Sequence, residues 1–221
     1  MTPVYDRGGV RLHHCSAAEL LAELEPGSVD LIMSDPPYPR KYIECYRDLA
    51  VGAVRACKSG AFVYAYCGAY ALPELLARMV PPLTWFWLFN VRHDGSNARL
   101  NGVNLTVLSK PVLVFTVGAP DYRALRWVDT DTNTTRIKHH HPWQQSENFP
   151  RIHIAARTQP GELVCDPFLG SGTTALAARY LGRRFVGCDI DEAAIETAIA
   201  RLSQDVLPLP DIEQEEQEAF A

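Results

Sequence analysis

A glycine-rich turn set between two apolar runs constrains the fold of this chain more than any other feature. Asp166-Pro167-Phe168-Leu169-Gly170-Ser171-Gly172-Thr173-Thr174 follows a strand-like run, Glu162 to Cys165, and opens a helix expected from about Thr173 to Leu181. A second strand-like run, Arg184 to Cys188, comes next, and Asp191 caps a last helix from Glu192 to about Leu202. Strand, tight turn, helix and strand make a crossover unit, which pairs its strands in parallel. Glycines permit the tight turn and let a ligand approach the backbone closely.

The same alternation runs through the rest of the chain. Val10 to His14 reads as a strand, and Ser16 offers an N-cap for a helix to about Glu25, which Pro26-Gly27 ends. Val29 to Met33 is a buried strand. Apolar residues at Ile43, Tyr46, Leu49, Ala50, Ala53, Val54 and Cys57 have helical spacing, so a helix is expected from about Lys41 to Cys57, stopped by Lys58-Ser59-Gly60. Ala61 to Cys67, Thr84 to Val91 and Val112 to Val117 read as strands, Leu72 to Met79 and Phe149 to Ala156 as short helices. Strands alternating with helices predict an α/β fold, an open and mostly parallel sheet with helices on both faces.

Composition fits one domain. The 221 residues are 47% hydrophobic and 21% charged, enough for a single sizeable core. The catalytic body is expected over residues 1–204. Residues 205–221 carry six acids and no base, an expected disordered tail. Those acids more than account for the net charge of −5 and leave +1 on residues 1–204. Two polar links, 92–110 and 118–145, carry most of the excess base and are the expected nucleic-acid contacts, through Arg92, His93, Arg99, Arg136 and Lys138. The second link is too long to be an idle connection. No apolar run approaches the ~20 residues of a membrane helix, and no signal-like layout opens the chain, so the cytoplasm is the expected location. The six cysteines form no C-x-x-C pair and are expected reduced and structural, with no metal site. The His139-His140-His141 run reads as a polar loop.

Two further features carry chemistry. Asp35-Pro36-Pro37-Tyr38 closes the Val29 to Met33 strand. A carboxylate and a proline carbonyl can accept the two hydrogens of an exocyclic amine, and an aromatic ring can stack on the attached base. Asp189 ends the strand after the glycine turn, 19 residues beyond Gly170, where an acid can accept hydrogen bonds from ribose hydroxyls. Gly170-x-Gly172-x-x-Ala175 fits a dinucleotide fingerprint as well as a nucleoside site. The 32 residues after Asp189 leave no room for the second half of a dinucleotide fold, which favours a smaller nucleoside cofactor such as S-adenosylmethionine.

Asp35–Tyr38 and Asp166–Gly172 together resemble the amino-group DNA methyltransferases that use S-adenosylmethionine. The order, catalytic motif first and cofactor motif late, is similar to the circularly permuted beta group of that family, and the likeness runs from about Val10 to Leu202. It implies a Rossmann-like seven-stranded sheet with one antiparallel strand. It implies Asp35, Pro36, Pro37 and Tyr38 as catalytic residues. Cofactor contacts are implied for Cys15, Ser16, Asp35, Asp166, Phe168, Gly170, Ser171, Gly172, Thr173 and Asp189. It implies methyl transfer to adenine N6 in double-stranded DNA, in a restriction-modification setting of prokaryotic, viral or plasmid-borne origin. Cytosine N4 and a non-catalytic accessory subunit are the alternatives, and an RNA target stays open. Two departures stand out. The family often has an acid near Cys15, and its His-Pro-x-Gln-Lys-Pro run is here His141-Pro142-Trp143-Gln144-Gln145-Ser146. Gln145 removes a lysine that would pair with the cofactor carboxylate, so that contact is expected to pass to Ser146, Thr173 or backbone N–H groups. The links are short for a recognition domain, so a short target sequence, a homodimer or a helper chain is expected.

Overall fold

The structure is a computed structural model that describes residues 1–93, 98–100, 105–120, 130–133 and 148–204. In chain order its strands are β1 (Tyr5–Arg7), β2 (Val10–His14), β3 (Val29–Ser34), β4 (Cys57–Tyr66), β5 (Thr84–His93), β6 (Ala98–Leu100), β7 (Leu105–Val107), β8 (Ser109–Thr116), β9 (Thr130–Asn133), β10 (Leu163–Asp166) and β11 (Arg184–Asp189). The helices are α1 (Ala17–Glu23), α2 (Glu44–Ala56), α3 (Leu72–Met79), α4 (Asn148–Arg157), α5 (Thr173–Tyr180) and α6 (Glu192–Ser203).

Nine of these strands form one sheet in the order β1-β2-β11-β10-β3-β4-β8-β5-β9. The expected seven-stranded sheet is its core, β2 to β5. There β8 runs antiparallel between β4 and β5, and the other pairings are parallel. Two edge strands add to the expectation. The first, β1, folds back on β2 through Gly8-Gly9, both at positive φ (57° and 78°) as a tight hairpin turn requires. The second, β9, pairs parallel with β5 inside the long second link. A separate antiparallel pair, β6 with β7, lies inside the first link.

Strand alternation divides the core into two layers. Ile32, Val63, Cys165 and Val186 face α1, α2 and α3, where Leu20, Leu49, Ala53 and Leu75 close the layer. Leu31, Met33, Tyr64, Val164 and Phe185 face the other way and pack with Phe149, Ile154, Ala175 and Ile195 of α4, α5 and α6. Burial on both faces explains why these parallel strands read as continuous apolar runs.

Element ends differ from expectation at two informative places. Lys58-Ser59-Gly60 lies inside β4 and not between elements. The pairing of β3 with β4 shifts register there, from Val29↔Cys57 to Leu31↔Phe62, and Gly60 takes φ 85°. A glycine at an irregularity in a strand has the same local signature as one that ends a helix. At the other place β8 begins at Ser109, three residues earlier than expected, so Lys110 belongs to the sheet and not to a link. Pro111 has no N–H to give a ladder and reads as a break, yet its carbonyl accepts from Cys67 N at 3.0 Å. Among the described residues no helix is long and apolar enough to cross a membrane.

Candidate active site

The two chemistry-bearing turns leave the same edge of the sheet side by side. β3 and β10 are parallel neighbours with Leu31↔Val164 and Ile32↔Cys165 in register, so Asp35 and the glycine turn emerge together. Ser34 Oγ donates to Asp166 Oδ1 at 2.5 Å and ties one turn to the other. A cleft of about 350 Å³ opens between them, within the roughly 300–1,000 Å³ typical of small-molecule sites. Asp35, Asp166, Phe168, Gly170, Ser171 and Thr173 all line it. Pro150 of α4 and Ala193, Ala194 and Thr197 of α6 complete the walls.

Aromatic hydroxyls brace the Asp35 turn. Tyr46, fully buried on α2, donates to the Tyr66 carbonyl at 2.9 Å and reaches the Pro36 carbonyl at 3.4 Å. Tyr70 donates to the Tyr38 carbonyl. Tyr38 itself donates to Asp35 Oδ1 at 2.5 Å, and burial, reinforced by that carboxylate, pushes its phenol well above the ordinary value. The phenol is therefore a donor, not a base. The prolines fix the chain between these anchors.

The glycine turn is braced by charge. Gly170 and Gly172 sit at φ 51° and 80°, where a side chain is strained. A β-carbon on Gly172 would meet the Ala198 β-carbon at 2.8 Å, so this glycine seats α5 against α6. A β-carbon on Gly170 would meet nothing within 4 Å, so the peptide there faces open space. Asp189 accepts from Gly170 N at 2.9 Å through Oδ2 and from Asp191 N at 3.0 Å through Oδ1. Arg201 of α6, buried, donates to the Ser171 carbonyl at 2.6 Å, to Ser171 Oγ at 3.2 Å and to Thr173 Oγ1 at 3.3 Å. Below them burial pushes the Asp166 carboxyl up to about 7, although Ser34, Thr174 and the Phe168 N–H all donate to it. That buried acid is poised for a cationic partner, which would hold its charged form.

Four residues expected at the cofactor lie off the walls of the cleft. Gly172 and Asp189 shape it from behind through the contacts above. Ser16 spends its hydroxyl on the first turn of α1: it accepts from Glu19 N at 3.3 Å and donates to Glu19 Oε2 at 2.6 Å, a capping box. Cys15 is half-buried beside Cys188, with its thiol pushed up by burial. Both follow β2, the neighbour of β11, and Cys15 N donates to the Asp189 carbonyl at 3.1 Å. Arg92 is exposed near the end of β5, opposite Ser109. The backbones of His93 and Arg99 end β5 and lie on β6. Arg136, Lys138, the His139-His140-His141 run, Trp127, Trp143, Gln144, Gln145, Ser146 and the acidic tail 205–221 lie outside the described residues.

Lys110 and Arg201 are the residues sequence reading missed. Lys110 Nζ stands 3.5 Å from Asp35 Oδ2 and 5.1 Å from the centre of the Tyr38 ring. β8 runs antiparallel, so its first residues lie at the edge where β3 ends; a reversed strand gives no local signal of this. For Arg201, one basic residue in the last turn of α6 looks like ordinary helix-end charge.

The similarities to known proteins fit this arrangement. The family described as DNA methylase, of the N6/N4 methyltransferase type, matches residues 78–200. The Type II methyltransferase M2.DpnII of Streptococcus pneumoniae is 23% identical over 90% of this chain and 92% of its own length. Among solved structures, the cytosine-N4-specific PvuII DNA methyltransferase superposes with a TM-score of 0.79 at 16% identity, over 93% of this chain and 90% of its own. The M1.HpyAVI–SAM complex gives 0.71 at 19% identity, over 88% and 100%. The fold is therefore that of the methyltransferases, and the family match, which covers more than half of the chain and includes the whole glycine turn, makes this protein a member of the N6/N4 DNA methylase family.

Proposed function

We propose that the chain transfers a methyl group from S-adenosylmethionine to the N6 amine of adenine in double-stranded DNA, with Asp35 and the Pro36 carbonyl as the amine's acceptors. The observation that carries this reading is the shared cleft: the Asp35 carboxylate and the open glycine turn line one cavity, tied by the Ser34–Asp166 hydrogen bond. The family match does not reach Asp35, so the reading of that turn rests on its position and chemistry.

The cleft suits the cofactor. Gly170 leaves room at the turn, the Ser171 and Thr173 hydroxyls suit a carboxylate, and buried Asp166 suits an ammonium. Arg201 offers a cation close behind those hydroxyls, in a chain where Gln145 replaces the family's lysine. S-adenosylmethionine would supply an electrophilic methyl group on a sulfonium centre and leave as a neutral thioether.

The protein's own part is acceptance and alignment. An adenine amine is a weak nucleophile because its lone pair is delocalised into the ring. Asp35 and the Pro36 carbonyl each accept one amine hydrogen, which draws the nitrogen toward tetrahedral geometry and frees the lone pair. As the N–C bond forms and the C–S bond breaks, the amine sheds one proton, which leaves by way of Asp35. Fixed acceptors need no reorganisation at that moment. Tyr38 stacks on the base, a contact worth roughly 1–3 kcal/mol that offsets the few kcal/mol needed to unstack it from the duplex.

Adenine leads because Asp, not Ser, opens the motif. Cytosine N4 is the second reading, favoured by the likeness to the cytosine-N4-specific enzyme. Expression in cells that lack endogenous base methylation, followed by mass spectrometry of their digested DNA, separates the two. N6-methyldeoxyadenosine is the expected product. N4-methyldeoxycytidine selects the second reading, and absence of both removes the proposal.

A further inference from the structure

Lys110 already makes, with its own ammonium, two of the three contacts that the proposed mechanism asks of a target base, those to Asp35 and to the Tyr38 ring. It stands 3.5 Å from Asp35 Oδ2, beside the carboxylate meant for an amine, and 5.1 Å from the centre of the ring meant for stacking. Asp35 Oδ1 meanwhile takes the Tyr38 hydroxyl. The Lys110 backbone is fixed by pairing with Val91, while its side chain is 28% exposed and keeps the reach of a four-carbon stem. An exposed ion pair alone is worth little, about 0–1 kcal/mol. This one is half-buried, on an Asp35 that lines the cleft, and its geometry matches a substrate.

The match lies in the order of donor and acceptor. A base with an exocyclic amine presents a donor next to a bare ring nitrogen, an acceptor: N6 beside N1 in adenine, N4 beside N3 in cytosine. Thymine and the O6 side of guanine present the reverse, a carbonyl oxygen beside a ring N–H. Asp35 beside Lys110 is an acceptor next to a donor, the complement of the aminated edge and the opposite of the keto edge. We infer that Lys110 moves from Asp35 to the ring nitrogen next to the target amine, so that it positions an aminated base edge and turns a keto edge away. The inference rests on the amine-methylation reading and adds a base-edge contact to it.

A double-variant comparison tests it. With the methylated position mapped, wild type and Lys110→Met are assayed on short duplexes carrying the natural base or its deaza form at that position. That form is 1-deazaadenine, or 3-deazacytosine if cytosine is the target; each keeps the amine and replaces the ring nitrogen with C–H. Wild type should lose about 10- to 100-fold in kcat/KM on the deaza base, the size of one charge-assisted hydrogen bond. Lys110→Met should lose a similar factor on the natural base and almost nothing more on the deaza base, with unchanged cofactor affinity and melting temperature. Lys110→Arg should recover part of the loss. Losses that multiply in the variant, or a wild type indifferent to the deaza base, overturn the inference. No transfer by wild type to the natural base would instead bring down the amine-methylation reading, and this inference with it.

Discussion

Two neighbouring turns at one sheet edge are built by opposite means. The Asp35 turn is stiffened by prolines and held by phenol hydroxyls on its carbonyls, and it presents the Asp35 side chain to the cleft. The glycine turn has open peptide surface at Gly170 and is held from behind by Asp189 and Arg201. In the proposed reaction the first would offer acceptors to the amine, and the second would offer space, hydroxyls and backbone to the cofactor. The difference teaches that substitutions in the first should act on transfer, and those in the second on binding and stability.

Asp35→Ala should have the largest effect. Transfer should fall by roughly 10²–10³-fold or more, the scale of losing a preorganised polar group at a reacting centre. Cofactor affinity by calorimetry should stay within about twofold, and a parallel loss of affinity would break the division between the turns. Next comes Gly172→Val, which adds left-handed strain at φ 80° to a clash with Ala198. Together these should cost about 2–4 kcal/mol in chemical denaturation; an unchanged midpoint would show that α5 and α6 adjust freely.

Asp166→Asn sharpens the comparison through pH. The folded carboxyl titrates near 7, above its ordinary 3.8. Below pH ~4 both states hold the proton. Between about 4 and 7 the unfolded chain has lost it and the folded chain keeps it, so this group makes stability fall as pH rises, by at most roughly 1.4 kcal/mol per pH unit. Asparagine has no proton to lose. The variant should therefore gain on wild type as pH rises through that window and then level off above 7, read from urea midpoints at pH 5 and 8. A constant difference would mean that Asp166 is ionised in the fold. The smallest effect is expected from Asp189→Ala, which frees Gly170 N and removes the proposed ribose acceptor. Cofactor should bind about tenfold more weakly, and an unchanged dissociation constant would take Asp189 out of the site.

Much of this was legible in the chain because the parallel strands are buried on both faces and their turns are punctuated. Val10–His14, Leu72–Met79 and the Asp191 cap fall where the spacing predicts. Asp35 and the glycine turn each end a strand of a mostly parallel sheet, which alternation implies; that these two strands are neighbours it does not. What stayed hidden depends on partners far along the chain. Ser16 is a local case: it reads as an N-cap, and Glu19 three residues on completes the cap as a capping box. Lys110 looked like one basic residue of a link, because no local pattern reveals that an antiparallel strand starts beside Asp35. Arg201 lies 30 residues from the Ser171 it holds.

The most direct measurement is single-turnover transfer by the purified protein from S-adenosylmethionine carrying a deuterated methyl group to unmethylated DNA, with RNA in a parallel reaction, followed by digestion and mass spectrometry. The account predicts the heavy methyl on an exocyclic amine of a DNA base, adenine N6 first. Label on a ring carbon, or label that never leaves a cofactor shown to be bound, would contradict it.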